Sequence, residues 1–175
     1  MLKKVIILLI IVVSLFIALG HCYIPLPYHH TMNAIKMDAE GNRIGDVEIV
    51  LDGKKTVSLF RKDSLRVDVG SIENAPDFEV DTSEFEQHFN EDVLHSNFII
   101  DDISDLISSI LDKDDMAQSK SYNFYVCISK DFDQWLISVS TNGGPRVYYM
   151  GSVSGSKTYD QLAAYFADHI TDIWK

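Results

Sequence analysis

The sequence predicts an α+β fold: an N-terminal antiparallel β-meander, central helices, and a C-terminal three-stranded meander closed by an amphipathic helix. Three observations carry that expectation. Apolar residues alternate with polar ones through much of 31–70 and again through 124–150, the period of a strand with one buried face. Between them, apolar residues recur at intervals of three and four, and the last residues form a capped helical stripe.

The chain begins differently. Lys3 and Lys4 precede an apolar run over 5–19 broken only by Ser14, and Ala18-Leu19-Gly20 places small residues where a signal peptidase inspects the chain. The run sits between the length of a signal core and the roughly 20 residues of a membrane span. Residues 1–20 are therefore expected to be a signal peptide or a membrane anchor, with the anchor favoured by the wealth of Ile, Leu and Val and by His21 after the cleavage point. Either fate exports the remainder of the chain. The implied location is the cell membrane, through a single N-terminal anchor spanning residues 1–24, or secretion.

Pro25 and Pro27 suggest an extended connector over 21–30, because proline fixes its own φ and disfavours helix in the residue before it. A single α+β domain is then expected over 31–175, a length sufficient for one substantial core. In its first part Ile35 and Met37 precede a Glu40-Gly41-Asn42 turn; Val47, Ile49 and Leu51 alternate; Asp52-Gly53 signals a hairpin; Val57 and Leu59 come next; and Leu65, Val67 and Val69 complete a four-stranded meander.

Ser83 and Glu86 have capping-box spacing, and Phe85, Phe89 and Val93 recur every four residues, which predicts a first central helix. Ile103, Leu106, Ile107, Ile110 and Leu111 predict a second, ended by Asp112-Lys113-Asp114-Asp115. Strands return with Phe124, Val126 and Ile128, then Trp135, Ile137 and Val139, and a turn at Asn142-Gly143-Gly144-Pro145 leads into the third. Thr158 and Gln161 cap a final helix whose stripe runs through Tyr159, Leu162, Ala163, Phe166, Ile170, Ile173 and Trp174.

Composition narrows the function. A formal charge of −11 repels phosphate backbones, so no nucleic-acid partner is expected. The basic island Lys54, Lys55, Arg61, Lys62, Arg66 reads as solvated turn and strand-edge charge. Two cysteines, Cys22 and Cys127, allow at most one disulfide.

The sharpest chemical constellation is Glu84, His88, Glu91 and His95, which a helix would place on one face, a donor set suited to zinc, manganese or iron. No His-Glu-x-x-His accompanies it, and a solvated acidic face with i,i+4 Glu/His pairs is the plainer explanation. Gly151 to Thr158 departs from the phosphate-loop spacing, with three residues between its glycines and Ser156 before Lys157. Neither Asp112-Lys113-Asp114-Asp115 nor Asp131-Phe132-Asp133 has the glycine and closing glutamate of a calcium loop. No cofactor is implied.

Strand alternation offers a binding face instead. With Phe124, Trp135, Ile137 and Tyr149 turned towards the last helix, the opposite side presents Tyr125, Cys127, Ser138, Arg146, Tyr148 and Met150, rings and hydrogen-bonding groups fit to hold a peptide or sugar; the plainer alternative is that the central helices or the first sheet cover this face as core. The sequence thus points to a non-enzymatic, exported, membrane-tethered extracytoplasmic domain that binds a protein, peptide or cell-surface ligand. The alternative is an extracytoplasmic metal-dependent hydrolase using the Glu84/His88/Glu91/His95 face.

Overall fold

In the computed structural model of the chain, the described residues are 2–20, 23–58, 61–73, 75–85, 92–102, 120–167 and 169–170. They form one curled, wholly antiparallel eight-stranded sheet, ordered β4-β3-β2-β1-β8-β7-β6-β5. Its strands are β1 (Tyr23–Met37), β2 (Arg43–Ser58), β3 (Ser64–Gly70), β4 (Phe78–Asp81), β5 (Val93–Asp102), β6 (Lys120–Ser129), β7 (Gln134–Thr141) and β8 (Val147–Ser152). Two four-stranded meanders are joined edge to edge where β1 pairs with β8, Ala34 opposite Gly151 and Met37 opposite Tyr148. This overturns the expected α+β class: the chain is mostly one sheet.

The correction is clearest at β5. Phe85, Phe89 and Val93 recur every four residues, but four is a multiple of two, so the same interval fits a strand. Leu94, Phe98 and Ile100 turn towards one core while Val93 turns towards the other, and β5 pairs with β6 along its whole length. The C-terminal meander therefore has four strands, not three. Of the expected first helix, the described part is a 3-10 turn, Thr82–Glu84, and Phe85 beyond it. Residues 86–91 and the expected second helix over 103–111 lie outside the described residues.

The first meander also has four strands, but not the expected four. Asp52-Gly53 makes no hairpin; β2 runs straight through it, with Gly53 opposite both Tyr28 of β1 and Val67 of β3. A Cβ on Gly53 would lie 2.1 Å from the Arg66 carbonyl oxygen, so glycine is there to let β3 come close. The fourth strand is β4, and the Glu40-Gly41-Asn42 turn stands as expected, with the Asp38 carboxylate accepting from Asn42 N at 2.8 Å and Glu40 N at 3.1 Å.

Pro25 and Pro27 lie within β1, opposite Thr56 and Lys54. Pairing with β8 begins only at Ala34, so among the described residues the earlier part of β1 has β2 as its single neighbour, an edge position of the kind that tolerates proline.

Curling gives the sheet an inner face and an outer one. The inner core draws on both meanders: Met32, Ile49, Leu51, Leu65, Val67, Phe124, Trp135 and Ile137 are buried together, and Phe78 of β4 meets Phe124 at 4.3 Å and Phe98 at 5.4 Å between ring centroids. The outer core lies under the C-terminal helix α2 (Tyr159–Tyr165), where Leu162, Phe166 and Ile170 cover Cys127, Leu136, Tyr148 and Met150. The predicted cap holds, Gln161 accepting Thr158 N at 3.0 Å.

The N-terminal helix α1 spans Leu2–Gly20, and its side chains over 5–15 are all exposed. Among the described residues no helix is long and apolar enough to cross a membrane.

Candidate functional site

One end of the curled sheet opens into a cavity of about 760 Å³. Five pieces of chain surround it: Tyr23 at the start of β1, Arg61 to Ser64 between β2 and β3, Thr82, Ser83 and Phe85 after β4, Leu94 at the start of β5, and Lys130 and Phe132 between β6 and β7. Strand ends converge here because the sheet curls, and such mouths are where barrels take small ligands.

Each wall is fixed locally. Asp81 caps the 3-10 turn, accepting Ser83 N at 2.9 Å and Ser83 Oγ at 2.6 Å, while buried Thr82 accepts Leu65 N at 2.8 Å and ties the turn to β3. On the facing loop Ser58 Oγ accepts Arg61 N at 3.1 Å, and Asp63 accepts Ser58 N at 3.3 Å. Arg61 Nη1 donates to Tyr23 Oη at 2.7 Å, with its guanidinium 5.8 Å from the centre of that ring.

The floor is Phe132, 2 % exposed and at φ 63°, a left-handed backbone that a phenylalanine adopts only when its surroundings impose it. Here they do. Ser129 O accepts Phe132 N at 2.8 Å, Ser129 Oγ accepts Gln134 N at 2.9 Å and donates to Asp131, and Asp131 accepts Asp133 N at 3.2 Å. The Phe132 carbonyl accepts both Tyr28 Oη at 2.8 Å and Trp135 Nε1 at 3.1 Å. Lys55 stands 5.0 Å above the Phe132 ring centre and 3.6 Å from Asp63.

Burial pushes the Tyr28 hydroxyl up to about 12, against the hydrogen bond at Trp135, with the nearby Asp133 and Asp131 charges adding to it. Partial burial alone would raise the Asp133 carboxyl. Hydrogen bonds from Ser154 N and the Ser152 and Ser154 hydroxyls, with the charge of Lys157, hold it below the ordinary carboxylate value. These contacts commit both carboxylates of Asp131-Phe132-Asp133 to the turn and to the loop after β8.

The electrostatics of the mouth run against those of the chain. Arg61, Lys62 and Lys130 line it with Asp63 as the single carboxylate among the described lining residues, although the chain as a whole carries −11. Lys130 is paired with Asp92 at 3.1 Å, and Lys62 is exposed on the loop. Ser64, Thr82 and Ser83 add hydroxyls; Phe85, Leu94 and Phe132 add apolar surface. The arrangement suits a ligand with an anionic group and an apolar part.

The residues singled out by sequence lie elsewhere. Tyr125, Ser138 and Tyr148 do stand in one row across β6, β7 and β8, as alternation predicts. Their face is the one α2 covers: Ser138 and Tyr148 are buried, Tyr125 and Arg146 half-buried, and Tyr125 Oη lies 3.2 Å from His169 Nδ1. Phe124, Trp135, Ile137 and Tyr149 point into the curl instead of towards α2. Glu84 ends the 3-10 turn and His95 stands on β5, its ring 5.7 Å from that of His169; His88 and Glu91 lie outside the described residues. Among the described residues no group of three or more His, Cys, Asp or Glu is placed to hold a metal.

The signal that marks the mouth in the sequence is part of the basic island Lys54, Lys55, Arg61, Lys62, Arg66: Arg61 and Lys62 line the mouth, although the island by itself reads as solvated charge. No family model, curated protein or solved structure matches the chain.

Proposed function

We propose that the chain is an exported, membrane-tethered extracytoplasmic module that binds an anionic ligand, a peptide or surface-ligand carboxylate or phosphate, in the mouth of its curled sheet. The observation that carries this is the cavity of about 760 Å³, cationic and aromatic in an acidic chain. Its volume matches that of sites for small molecules or the end of a larger chain. The tether is read from Lys3, Lys4 and the apolar run of 5–19. Of the residues of the alternative, a metal-dependent hydrolase, the described Glu84 and His95 occupy separate elements.

Calorimetric titration of the full chain in detergent with acidic peptides and phosphorylated glycans tests the proposal. A genuine mouth ligand loses about tenfold in affinity with Lys62→Ala, the worth of a charge-assisted contact, and keeps its affinity with Arg43→Ala, which removes a surface pair with Asp46 on another part of the sheet. Ligands indifferent to Lys62→Ala and Phe85→Ala, or no binding across both panels, would overturn it.

A further inference from the structure

The tip where β1 begins differs from the rest of the domain surface. Residues 23–27 are all exposed, with Tyr23 at 46 %, Ile24 at 48 % and Leu26 at 45 %. Antiparallel pairing sets Leu26 opposite Lys55 and Pro27 opposite Lys54, and the loop after β2 adds Arg61 and Lys62. Apolar side chains and the cations Lys54, Lys55, Arg61 and Lys62 therefore gather at this end of the sheet, where the described carboxylates are Asp63, paired with Lys55, and Asp52, beside Pro27 and Lys54. Only two residues separate Tyr23 from Gly20, the end of α1, so the tip lies within roughly 10 Å of that helix along the chain.

The geometry points to this tip as a docking surface for an anionic lipid bilayer. Exposed Ile, Leu and Tyr flanked by Lys and Arg is the composition of segments that lie at a membrane interface, where the ring and the guanidinium settle at headgroup level. The Arg61 guanidinium already rests on Tyr23. Charge complementarity also fixes the orientation. A bilayer of negative surface potential attracts clustered Lys and Arg beside a membrane segment and repels the acidic remainder of the domain, so this end alone approaches it. Because Tyr23, Arg61 and Lys62 also line the mouth, docking brings the cavity to the lipid surface. The inference rests on the proposed membrane tether but not on the ligand of the mouth.

The full chain reconstituted into nanodiscs of phosphatidylcholine, or of phosphatidylcholine with phosphatidylglycerol, is treated with a water-soluble amine-acetylating reagent and each lysine followed by mass spectrometry. Docking slows acetylation of Lys54 and Lys62 about fivefold in the anionic discs relative to the zwitterionic ones, leaves Lys157 unchanged, and is reversed by high salt. Lys54→Glu, outside the mouth, restores the acetylation of Lys62. Equal rates in both discs, or no response to Lys54→Glu, would overturn docking and leave the tether standing. A chain that does not enter the discs would overturn the tether and docking with it.

Discussion

Tyr28 of β1 donates its hydroxyl to the carbonyl oxygen of Phe132 at 2.8 Å, linking the first meander to the turn between β6 and β7 in the second. The bond is buried, and it steadies the residue whose left-handed backbone forms the floor of the mouth. Tyr28→Phe leaves Trp135 Nε1 as the remaining donor to that oxygen, so the expected loss is about 1 kcal/mol in urea unfolding, with a weaker fit of any mouth ligand.

Alkaline pH probes the burial of the same hydroxyl. Burial raises the hydroxyls of Tyr28 and Tyr165 to about 12 in the folded chain, while the unfolded chain releases those protons near 10. Their stabilisation is complete below pH 10 and is lost as pH rises towards 12. Unfolding free energy measured across that window falls, and falls less steeply in Tyr28→Phe.

Asp133 works in the opposite direction. Its depressed carboxyl contributes stability above the ordinary carboxylate range, and that contribution disappears as pH falls through the depressed value. Asp133→Asn is expected to be less stable at neutral pH and to have a flatter acid limb below about pH 4. Chemical unfolding from neutral to acid pH checks both.

Two glycines hold the sheet by what they lack. Gly53→Ala drives a methyl against the Arg66 carbonyl at 2.1 Å and is expected to cost about 3 kcal/mol or more. At the joint of the two meanders a Cβ on Gly151 would lie 2.8 Å from Met32 and 2.9 Å from the Asn33 carbonyl oxygen, and Gly151→Ala is expected to cost about 1–3 kcal/mol. Thermal unfolding ranks the two.

Ser138 should behave in reverse. Its hydroxyl is buried beneath α2 and, among the described residues, has no hydrogen-bond partner. Ser138→Ala is expected to stabilise the fold by about 1 kcal/mol; a loss of stability would reveal a partner for that oxygen.

Local signals were legible where one period fits the residues and another does not. The strands of the C-terminal meander from Phe124 onward, the turns at Gly41 and Gly143, and the capped helix from Tyr159 are dictated by their residues directly. Ambiguity arose where two structures share a spacing. Intervals of four at Phe85, Phe89 and Val93 serve helix and strand alike, and Asp52-Gly53 suits a turn as well as a close approach of neighbouring strands. The curl was not legible at all, because nothing local says that Phe78 will meet Phe124. Without the curl, α2 had no reason to choose the outer face, so Ser138 and Tyr148 looked open and the mouth, assembled from five separated segments, had no linear signature beyond its basic residues.

The joint between β1 and β8 also sets the order in which the molecule can close. Ala34 and Gly151 lie 117 residues apart, so the edge of β1 waits for its neighbour until all the intervening strands have been made. Contacts of such long sequence separation are slow to form. Under the proposed export, that delay keeps the sheet unclosed until β8 itself has crossed the membrane.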